Sequence, residues 1–490
     1  MSRARNLIFI LTDNHARSMA GCYGHPLVKT PTLDWLAAHG ARFRNAYCAS
    51  PLCCPSRAAL ATGRFPHQSG YWDNALAYDG RLPTWHHRLR ASDCEVSSIG
   101  KLHYVSSEND NGFVDELLPM HIVEGRGALI GLLRATEHGV PPRTGPRQMY
   151  GRPRVGEADY QRYDRDITAA AVDWLARRAR EASGPFALLL SYASPHPPFS
   201  VPARLSERYG PEDVPMPVQW RANERPTHPA IEHVRAHDGF EQPLSEDYVR
   251  NALAGYCALV NLVDEQIGQI MDCVRSSGLL ESTRIVYTSD HGEAGGNHGL
   301  FAKSTLYEHS SGVPLLMMGP DISPGTVIEP AVSHVDLFPT ILESMGVEPD
   351  EADRDLPGRS LWPLLDGETH SQPVFAEVHV QSTRNGAFML RDGALKLIYH
   401  VDAPSQLFDL ANDPLETRDL AGEPAWQARL EALQSQLRER LDPESVDARC
   451  KQAQRAHVDR MGGIEQILER GSITYTPVPG DPLNLEKMVR

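Results

Sequence analysis

The sequence has no long hydrophobic run, and this absence excludes a membrane-spanning helix. The apolar stretch near the start, Leu7–Leu11, is followed at once by Thr12 and Asp13. A membrane helix needs about 20 apolar residues, and the hydrophobic region of a secretory signal is also longer and ends in small residues. We therefore predict no signal peptide, no membrane partner and a cytoplasmic location.

An excess of basic charge is also missing. Lys and Arg total 48 against 63 Asp and Glu, so the formal net charge is −15. Proteins that bind nucleic acids normally carry a basic stripe, and we predict no nucleic-acid partner. The 8 cysteines are irregularly spaced, which disfavours a disulfide framework, a zinc site and a redox pair of thiols.

What the sequence does contain is an ordinary globular composition, with 41% hydrophobic and 23% charged residues. Strand-like apolar runs, such as Phe186–Tyr192 and Arg284–Thr288, alternate with helix-like segments. The longest of these helical segments spans Glu246–Ser277 and carries apolar residues every three or four positions. This alternation predicts an α/β fold, with helices on both faces of a sheet.

The pattern changes after residue 370, where short antiparallel strands and one amphipathic helix are predicted. We therefore predict a large domain at residues 1–370 and a small α+β domain at residues 371–445. Residues 446–490 are predicted to form a tail that wraps its own domain, contacts a partner subunit in a dimer or tetramer, or frays.

Polar residues follow two of the predicted strands directly. Asp13 follows the first strand, and Asp290 with His291 follows the strand Arg284–Thr288. Ligands of open α/β sheets bind beyond the carboxyl ends of the strands. Two carboxylates and an imidazole at that edge suit a divalent metal, although the same residues are also common in strand-end turns.

A second group of residues lies in the segment 53–63, CCPSRAALATG. Pro55 suits the first turn of a helix, and this places Cys53 near the positive helix N-terminus. Arg57 follows four residues later and is expected on the same face. These residues predict an anion site around a reactive cysteine.

The same segment resembles the signature C-x-P-S-R-x-x-L-x-T-G of the type I, formylglycine-dependent sulfatases at every fixed position. Gly100-Lys101-Leu102-His103 and Ser289-Asp290-His291-Gly292 are similar to two further motifs of that family, and the resemblance extends from Asn6 to about Leu441. It implies an alkaline-phosphatase-like fold: a large, mixed but mostly parallel sheet between helices, with a small C-terminal α+β domain.

The sequence departs from many sulfatases at two positions, where Asn14 follows Asp13 and His291 follows Asp290. Both features resemble the branch that contains choline sulfatases, sulfoquinovose sulfatases and phosphonate monoester hydrolases. The implied reaction is hydrolysis of a sulfate monoester to alcohol and inorganic sulfate, and the alternative is hydrolysis of a phosphonate or phosphate ester at the same site.

The resemblance also implies a site and two cofactors. Cys53 is expected to be oxidised to formylglycine by a formylglycine-generating enzyme, and its hydrate supplies the hydroxyl nucleophile on one divalent ion. Ca²⁺ is expected first, with Mn²⁺ and Mg²⁺ as alternatives. The implied metal ligands are Asp13, Cys53, Asp290 and His291. The implied catalytic residues are Cys53, Arg57, Lys101, His103, His196 and Lys303. The implied substrate contacts are Asn14, Asn74 and Tyr104.

Within the implied mechanism, Arg57, Lys101 and Lys303 hold the sulfuryl oxygens, and His196 or Lys303 protonates the leaving oxygen. His103 removes the proton of the second hydroxyl. A different class remains open at this point: if Cys53 stays a thiol, the site binds an anion and a metal without turnover. The leaving alcohol is not readable from the sequence. Residues 105–160 and 200–245 are expected to contact it, with the C-terminal tail as a further candidate, and none of these segments shows a recognisable pattern.

Overall fold

The computed structural model describes residues 4–143, 145–151, 155–181, 184–369, 372–473, 475–481 and 485–486. In this part of the chain the main sheet has nine strands: β1 (Asn6–Thr12), β2 (Ala41–Tyr47), β3 (Glu95–Lys101), β4 (Asp115–Met120), β5 (Phe186–Ser191), β6 (Thr283–Ser289), β7 (Gly312–Val313), β8 (Leu315–Met318) and β9 (Thr326–Ser333). A second sheet contains β10 (Val374–Val378), β11 (Ala387–Asp392), β12 (Leu395–His400) and β13 (Gln406–Asp409), and β14 (Ser472–Ile473) pairs with β15 (Leu485–Glu486).

The strand order of the main sheet is β4-β3-β5-β1-β6-β8-β2-β7, with β9 also paired to β2. The central pairs β3–β5, β5–β1 and β1–β6 are parallel, whereas β8 runs antiparallel to both β6 and β2. The predicted mixed, mostly parallel sheet is therefore confirmed. Strand β1 is buried along its whole length, as expected for a parallel strand that is covered on both faces.

The helices of the first 370 residues are α1 (Pro31–His39), α2 (Cys53–Thr62), α3 (Pro66–Ser69), α4 (Trp85–Ala91), α5 (Pro146–Gly151), α6 (Asp159–Glu181), α7 (Ala203–Ser206), α8 (Pro229–His237), α9 (Glu246–Ser276), α10 (Glu308–Ser311), α11 (Leu337–Met345) and α12 (Trp362–Leu365). Two hydrophobic clusters cover the two faces of the sheet. One packs Phe9 and Leu11 of β1 against α4 and α11, and the other packs Ile8 and Ile10 against α1, α6 and α9.

The small C-terminal sheet is antiparallel, and β11 pairs with β12 as expected for the turn at residues 391–393. It packs against α13 (Gln427–Arg440), and α14 (Pro443–Arg460) and α15 (Ile464–Arg470) follow. The predicted boundary at 370/371 lies outside the described residues. The boundary at 445/446 falls inside α14, so a separate tail does not begin there.

Helices α14 and α15 pack against the large domain. Val458 and Ile467 lie in a cluster with Leu129, Leu132 and Leu133 of the segment before α5. The residues that were predicted as a tail therefore include most of α14 and all of α15, each with a buried apolar side. No helix in the described ranges combines the length and the hydropathy that crossing a membrane requires.

Candidate active site

The pairing of β1 with β6 places two carboxylates at one edge of the sheet. The strands are parallel, and Thr12 lies opposite Ser289. The next residues, Asp13 and Asp290, are therefore neighbours, and the backbone N–H of Asp290 donates to the Thr12 carbonyl at 3.0 Å. Both side chains are fully buried. The fold thus brings these two distant residues together at the carboxyl end of the sheet.

His291 and Cys53 complete a compact set of potential metal ligands. The His291 Nε2 atom lies 3.5 Å from Asp290 Oδ1 and 3.8 Å from Asp13 Oδ1. The Cys53 Sγ atom lies 3.3 Å from His291 Nε2 and 3.9 Å from Asp13 Oδ1. One ligand atom from each of the four residues falls within 4.8 Å of the others. We call these four residues the sheet-edge cluster.

The donor set fits a single divalent cation. Hard cations bind oxygen ligands at about 2.3–2.6 Å, so ligand atoms around one ion lie within about 5 Å of one another. The Nδ1 atom of His291 contacts the Gly292 carbonyl at 3.0 Å, and this contact assigns the proton to Nδ1. The Nε2 lone pair then faces the carboxylates, as in a metal-binding histidine that is oriented by its second nitrogen.

Helix α2 brings Cys53 to this edge. The helix begins at Cys53, so the thiol lies at its positive end. The side-chain oxygen of Asn74 accepts a hydrogen bond from the backbone N–H of Cys54 at 3.1 Å. Asn74 therefore holds the first turn of α2 as well as lining the pocket that opens there.

The side chain of Arg57 contacts both carboxylates of the sheet-edge cluster. Its Nε donates to Asp290 at 2.8 Å and its Nη2 donates to Asp13 at 3.4 Å. Its Nη1 donates to the Lys101 carbonyl at 2.6 Å and to the Ser191 hydroxyl at 2.8 Å. The guanidinium therefore orients both carboxylates of the sheet-edge cluster, and the expected contact of Arg57 with sulfuryl oxygens stays a prediction.

Two lysines supply positive charge on the pocket side. The Lys101 Nζ atom lies 2.6 Å from Asp13 Oδ2, and Lys303 Nζ donates to the Asn14 side-chain oxygen at 3.2 Å. Burial raises the pKa of Asp13, but the charges of Lys101, His196, Lys303 and Arg57 outweigh this effect and hold it well below its ordinary value. The Asp13 carboxyl is therefore ionised, as a metal ligand must be.

The end of strand β3 requires a glycine. Gly100 has a φ of +105°, and a Cβ atom there would lie 2.2 Å from the Ser191 carbonyl oxygen of β5. Because this close approach is possible only without a side chain, Gly100 allows β3 to present Lys101 and then His103 to the pocket.

Six of the predicted site residues line one pocket, and six lie behind it. The pocket has a volume of about 100 Å³, and its wall includes Cys53, Asn74, Lys101, His103, His196 and Lys303. Residues outside its lining are Asp13, Asn14, Arg57, Tyr104, Asp290 and His291. Tyr104 packs its ring 4.7 Å from that of Tyr78 in the core, so this location does not support the expected substrate contact.

Asn14 occupies a strained position beside the cluster. Its φ is +75°, and its backbone N–H donates to Asp290 Oδ1 at 3.2 Å. Its side-chain amide donates to Glu293 at 2.5 Å while its oxygen accepts from Lys303. Asn14 therefore links Lys303 to Asp290 of the sheet-edge cluster, and its predicted contact with the substrate stays a prediction.

Sequence reasoning missed three residues that support the site. Burial raises the pKa of Glu293 to about 7, and this carboxyl accepts from Asn14 and from the Ala302 backbone at 2.7 Å. Ser191 accepts from Arg57, and Asp164 accepts from the backbone of Ala193 and Ser194. A motif search could have found Glu293, because it lies only three residues after Asp290. Ser191 and Asp164 could not be found in this way, because they act through contacts between segments that are distant in the sequence.

The fold and the site together define a class. An α/β sheet that presents carboxylates, an imidazole, a helix N-terminus and lysines at its carboxyl edge is suited to metal-assisted hydrolysis of an anionic ester. The chain belongs to the sulfatase family, whose model matches residues 5–347. A second model, described as N-sulphoglucosamine sulphohydrolase, C-terminal, matches residues 296–444. The protein is therefore a sulfuric ester hydrolase.

Individual relatives support this assignment. Arylsulfatase K of Xenopus laevis is 31% identical, and the match covers 90% of this chain and 83% of the relative. Choline-sulfatase of Rhizobium meliloti (strain 1021) is 29% identical, with 98% and 94% covered. Among solved structures, the phosphonate monoester hydrolase of Silicibacter pomeroyi shares the fold, with a TM-score of 0.71, 24% identity and 99% of both chains covered. A structure in complex with its substrate D-glucosamine-2-N,6-O-disulfate has a TM-score of 0.69 at 25% identity and covers 89% of this chain and 97% of its own.

Proposed function

We propose that this chain hydrolyses sulfate monoesters with residue 53 in its oxidised, formylglycine form. The observation that carries the proposal is the position of Cys53. Its Sγ lies at a helix N-terminus, lines the pocket and is within 3.9 Å of both His291 Nε2 and Asp13 Oδ1. Burial raises the pKa of the Cys53 thiol to about 11, so an unmodified thiol is protonated at neutral pH and is a poor nucleophile.

The cofactors have places in this arrangement. Asp13, Asp290, His291 and residue 53 would hold the divalent ion, which supplies Lewis acidity, while oxidised residue 53 supplies a hydroxyl nucleophile. We propose Ca²⁺ because two carboxylates are hard oxygen ligands, and Mn²⁺ and Mg²⁺ are the alternatives. Metal analysis of purified protein decides among the three.

The pocket lysines stabilise the charge of the substrate. Lys101 and Lys303 line the pocket, where Lys101 is buried and Lys303 is half-buried, so their positive charges act on the sulfuryl oxygens with reduced screening by water. Arg57 acts indirectly, because it fixes the orientation of Asp13 and Asp290. Asn74 lines the same pocket and is proposed to contact the sulfuryl group.

Two histidines and a lysine are available for proton transfer. The Nδ1 atom of His196 contacts the Pro197 carbonyl at 2.7 Å, and burial together with the charge of Lys303 lowers the pKa of His196 well below its ordinary value. A neutral His196 with its proton on Nδ1 cannot donate from Nε2, so we assign protonation of the leaving oxygen to Lys303 Nζ. His103 is proposed as the base that accepts a proton in the second half of the reaction.

A second candidate is hydrolysis of phosphonate or phosphate esters. The fold shared with a phosphonate monoester hydrolase over 99% of both chains favours it, because sulfuryl and phosphoryl groups have the same tetrahedral shape. The ratio of kcat/KM for an aryl sulfate and for the matching phenylphosphonate ester separates the two. We expect the sulfate ester to be preferred, and a preference for the phosphonate overturns this part of the proposal.

Mass spectrometry tests the modification itself. The chain is co-expressed with a formylglycine-generating enzyme, and the tryptic peptide of residues 45–57 is analysed. We expect an aldehyde that lacks the sulfur of Cys53, with Cys48 and Cys54 unchanged. An intact thiol at residue 53 in a sample that turns over sulfate esters contradicts the proposal. The homo-oligomer and the cytoplasmic location stay predictions.

A further inference from the structure

The end of the chain forms one wall of the active-site pocket. We call residues 475–478 the strap; Tyr475 and Thr476 line the pocket. The strap is anchored by a hydrogen bond from the Tyr160 hydroxyl to the Thr476 carbonyl at 2.7 Å and by Val478, which is buried in the main core. A segment of the same chain that lies 373 residues from His103 therefore forms part of the pocket wall.

The strap contacts the side chain of His103. The Nε2 atom of His103 lies 3.0 Å from the Thr476 hydroxyl oxygen. The other ring nitrogen, Nδ1, is buried and has no hydrogen-bond partner among the described residues. Within the described chain, Thr476 is thus the group that determines how this imidazole is oriented.

The electrostatic surroundings keep the ring neutral. Burial lowers the pKa of His103 well below its ordinary value, and the charges of Lys101, Arg57 and His196 act in the same direction, opposed by Asp13. A neutral imidazole has one N–H and one lone pair. A proton on Nδ1 would be a buried donor without an acceptor, which is costly, whereas a proton on Nε2 finds the Thr476 oxygen.

We propose that Thr476 is a positioning residue: its hydroxyl oxygen accepts a hydrogen bond from Nε2–H of His103 and fixes the tautomer whose Nδ1 lone pair can take up a proton. The inference rests on the proposed function, in which that proton comes from the hydroxyl of oxidised residue 53. The O–H bond breaks, the new N–H bond forms at Nδ1, and the resulting imidazolium keeps its hydrogen bond to Thr476. No redox partner is needed for this step.

The isosteric pair Thr476→Val and Thr476→Ser tests the inference. Crystal structures are determined with Cys53 still a thiol, so this readout does not depend on maturation or activity. In Thr476→Val we expect the His103 ring to rotate or to occupy several conformers, and in matured enzyme we expect kcat to fall by about 10- to 100-fold with KM nearly unchanged. Thr476→Ser is expected to keep the ring orientation and kcat.

Val478→Ala is the matched control, because it loosens the packing of the strap without touching His103. We expect a lower melting temperature and a single wild-type orientation of the ring. A Thr476→Val protein that keeps the ring in its wild-type orientation, or keeps its kcat, overturns the inference. Failure of the wild-type enzyme to release sulfate although residue 53 is oxidised overturns the proposed function instead, and the ring orientation still tests the role of Thr476.

Discussion

Two buried groups of charged residues in this molecule have similar compositions but different roles. The sheet-edge cluster combines two aspartates, a histidine and Cys53 with surrounding cations. The second group, which we call the interdomain cluster, consists of Arg17, Glu308, Lys396 and Glu416. Lys396 is fully buried and bridges Glu308 and Glu416 at 2.9 and 2.8 Å, and Arg17 pairs with Glu308.

The difference lies in what the acidic groups face. In the interdomain cluster the cations lie between the carboxylates, and Glu308 also accepts hydrogen bonds from the Tyr47 hydroxyl at 2.8 and 2.9 Å. In the sheet-edge cluster, cations hold the outer oxygens of Asp13 and Asp290, whereas one oxygen of each faces His291 Nε2. A buried group of charges forms a candidate metal site where several ligand atoms converge beside a pocket. Its role is structural where protein cations already lie between the carboxylates.

The largest expected effect is on the sheet-edge cluster. His291→Gln removes one proposed metal ligand without introducing a charge, so we expect the protein to lose its metal. We expect kcat/KM for a sulfate ester to fall by about 10³-fold or more, which equals or exceeds the effect of removing one group that stabilises the transition state. Metal analysis and sulfate release measure both. His298→Gln is the matched control, since His298 is also buried and its Nε2 contacts the Glu416 carbonyl at 3.1 Å. Metal retention by His291→Gln would count against the site.

The interdomain cluster is expected to respond in stability alone. Lys396→Met leaves Glu308 and Glu416 buried without their shared cation, and breaking a buried pair in this way costs about 3–5 kcal/mol in the free energy of unfolding. Urea denaturation measures the loss, while kcat of the folded fraction is expected to stay unchanged. Arg44→Met, which breaks an exposed pair with Glu329, is expected to cost about 1 kcal/mol or less. Equal losses in the free energy of unfolding for the two variants would contradict the expected difference between a buried and an exposed ion pair.

Glu377, a buried carboxylate outside both clusters, predicts that the stability of the fold depends on pH. Burial raises the pKa of Glu377, but His67 and His379 outweigh this and lower it from 4.5 to about 2. A lowered pKa in the folded state stabilises the protein above the unfolded value and loses that contribution as the pH falls. Between pH 6 and pH 3 the stability difference between wild type and Glu377→Gln is expected to shrink by about 2 kcal/mol. A difference that is constant over this range would show that the ion pairs do not stabilise the fold.

The smallest effect is expected at Asn74. Asn74→Ala removes the acceptor for the Cys54 N–H, and the loss of a helix-capping interaction costs about 1 kcal/mol. We expect a slightly lower melting temperature. We also expect a loss in kcat/KM that exceeds this stability cost when both are expressed as free energies, since the residue also lines the pocket. Asn45→Ala changes a half-buried residue of β2 that does not line the pocket and whose side chain contacts the Glu329 carbonyl at 2.7 Å; it should leave kcat/KM unchanged.

The sequence predicted more of the fold than of the contacts within the site. Buried strands such as β1 and β5 were located because their residues are apolar on both faces, and motifs then placed Cys53, Asp13 and Asp290. Helix spacing placed Arg57 on the face of Cys53, and both side chains reach Asp13. The other contacts of Arg57, with Asp290, the Lys101 carbonyl and Ser191, depend on β3, β5 and β6, which helix spacing does not reveal. Thr476 was beyond reach for a similar reason: a single hydrogen bond to His103, formed across 373 residues, leaves no local pattern.

The most direct test of the central claim is sulfate release by the matured enzyme. Protein with a verified aldehyde at residue 53 is compared with Cys53→Ala, in the presence of Ca²⁺, on an aryl sulfate and on a panel of alkyl and sugar sulfates. Many turnovers by the aldehyde form on at least one ester, and none by Cys53→Ala, are expected. Equal rates for the two proteins, or no release by the aldehyde form on any ester, would contradict the account.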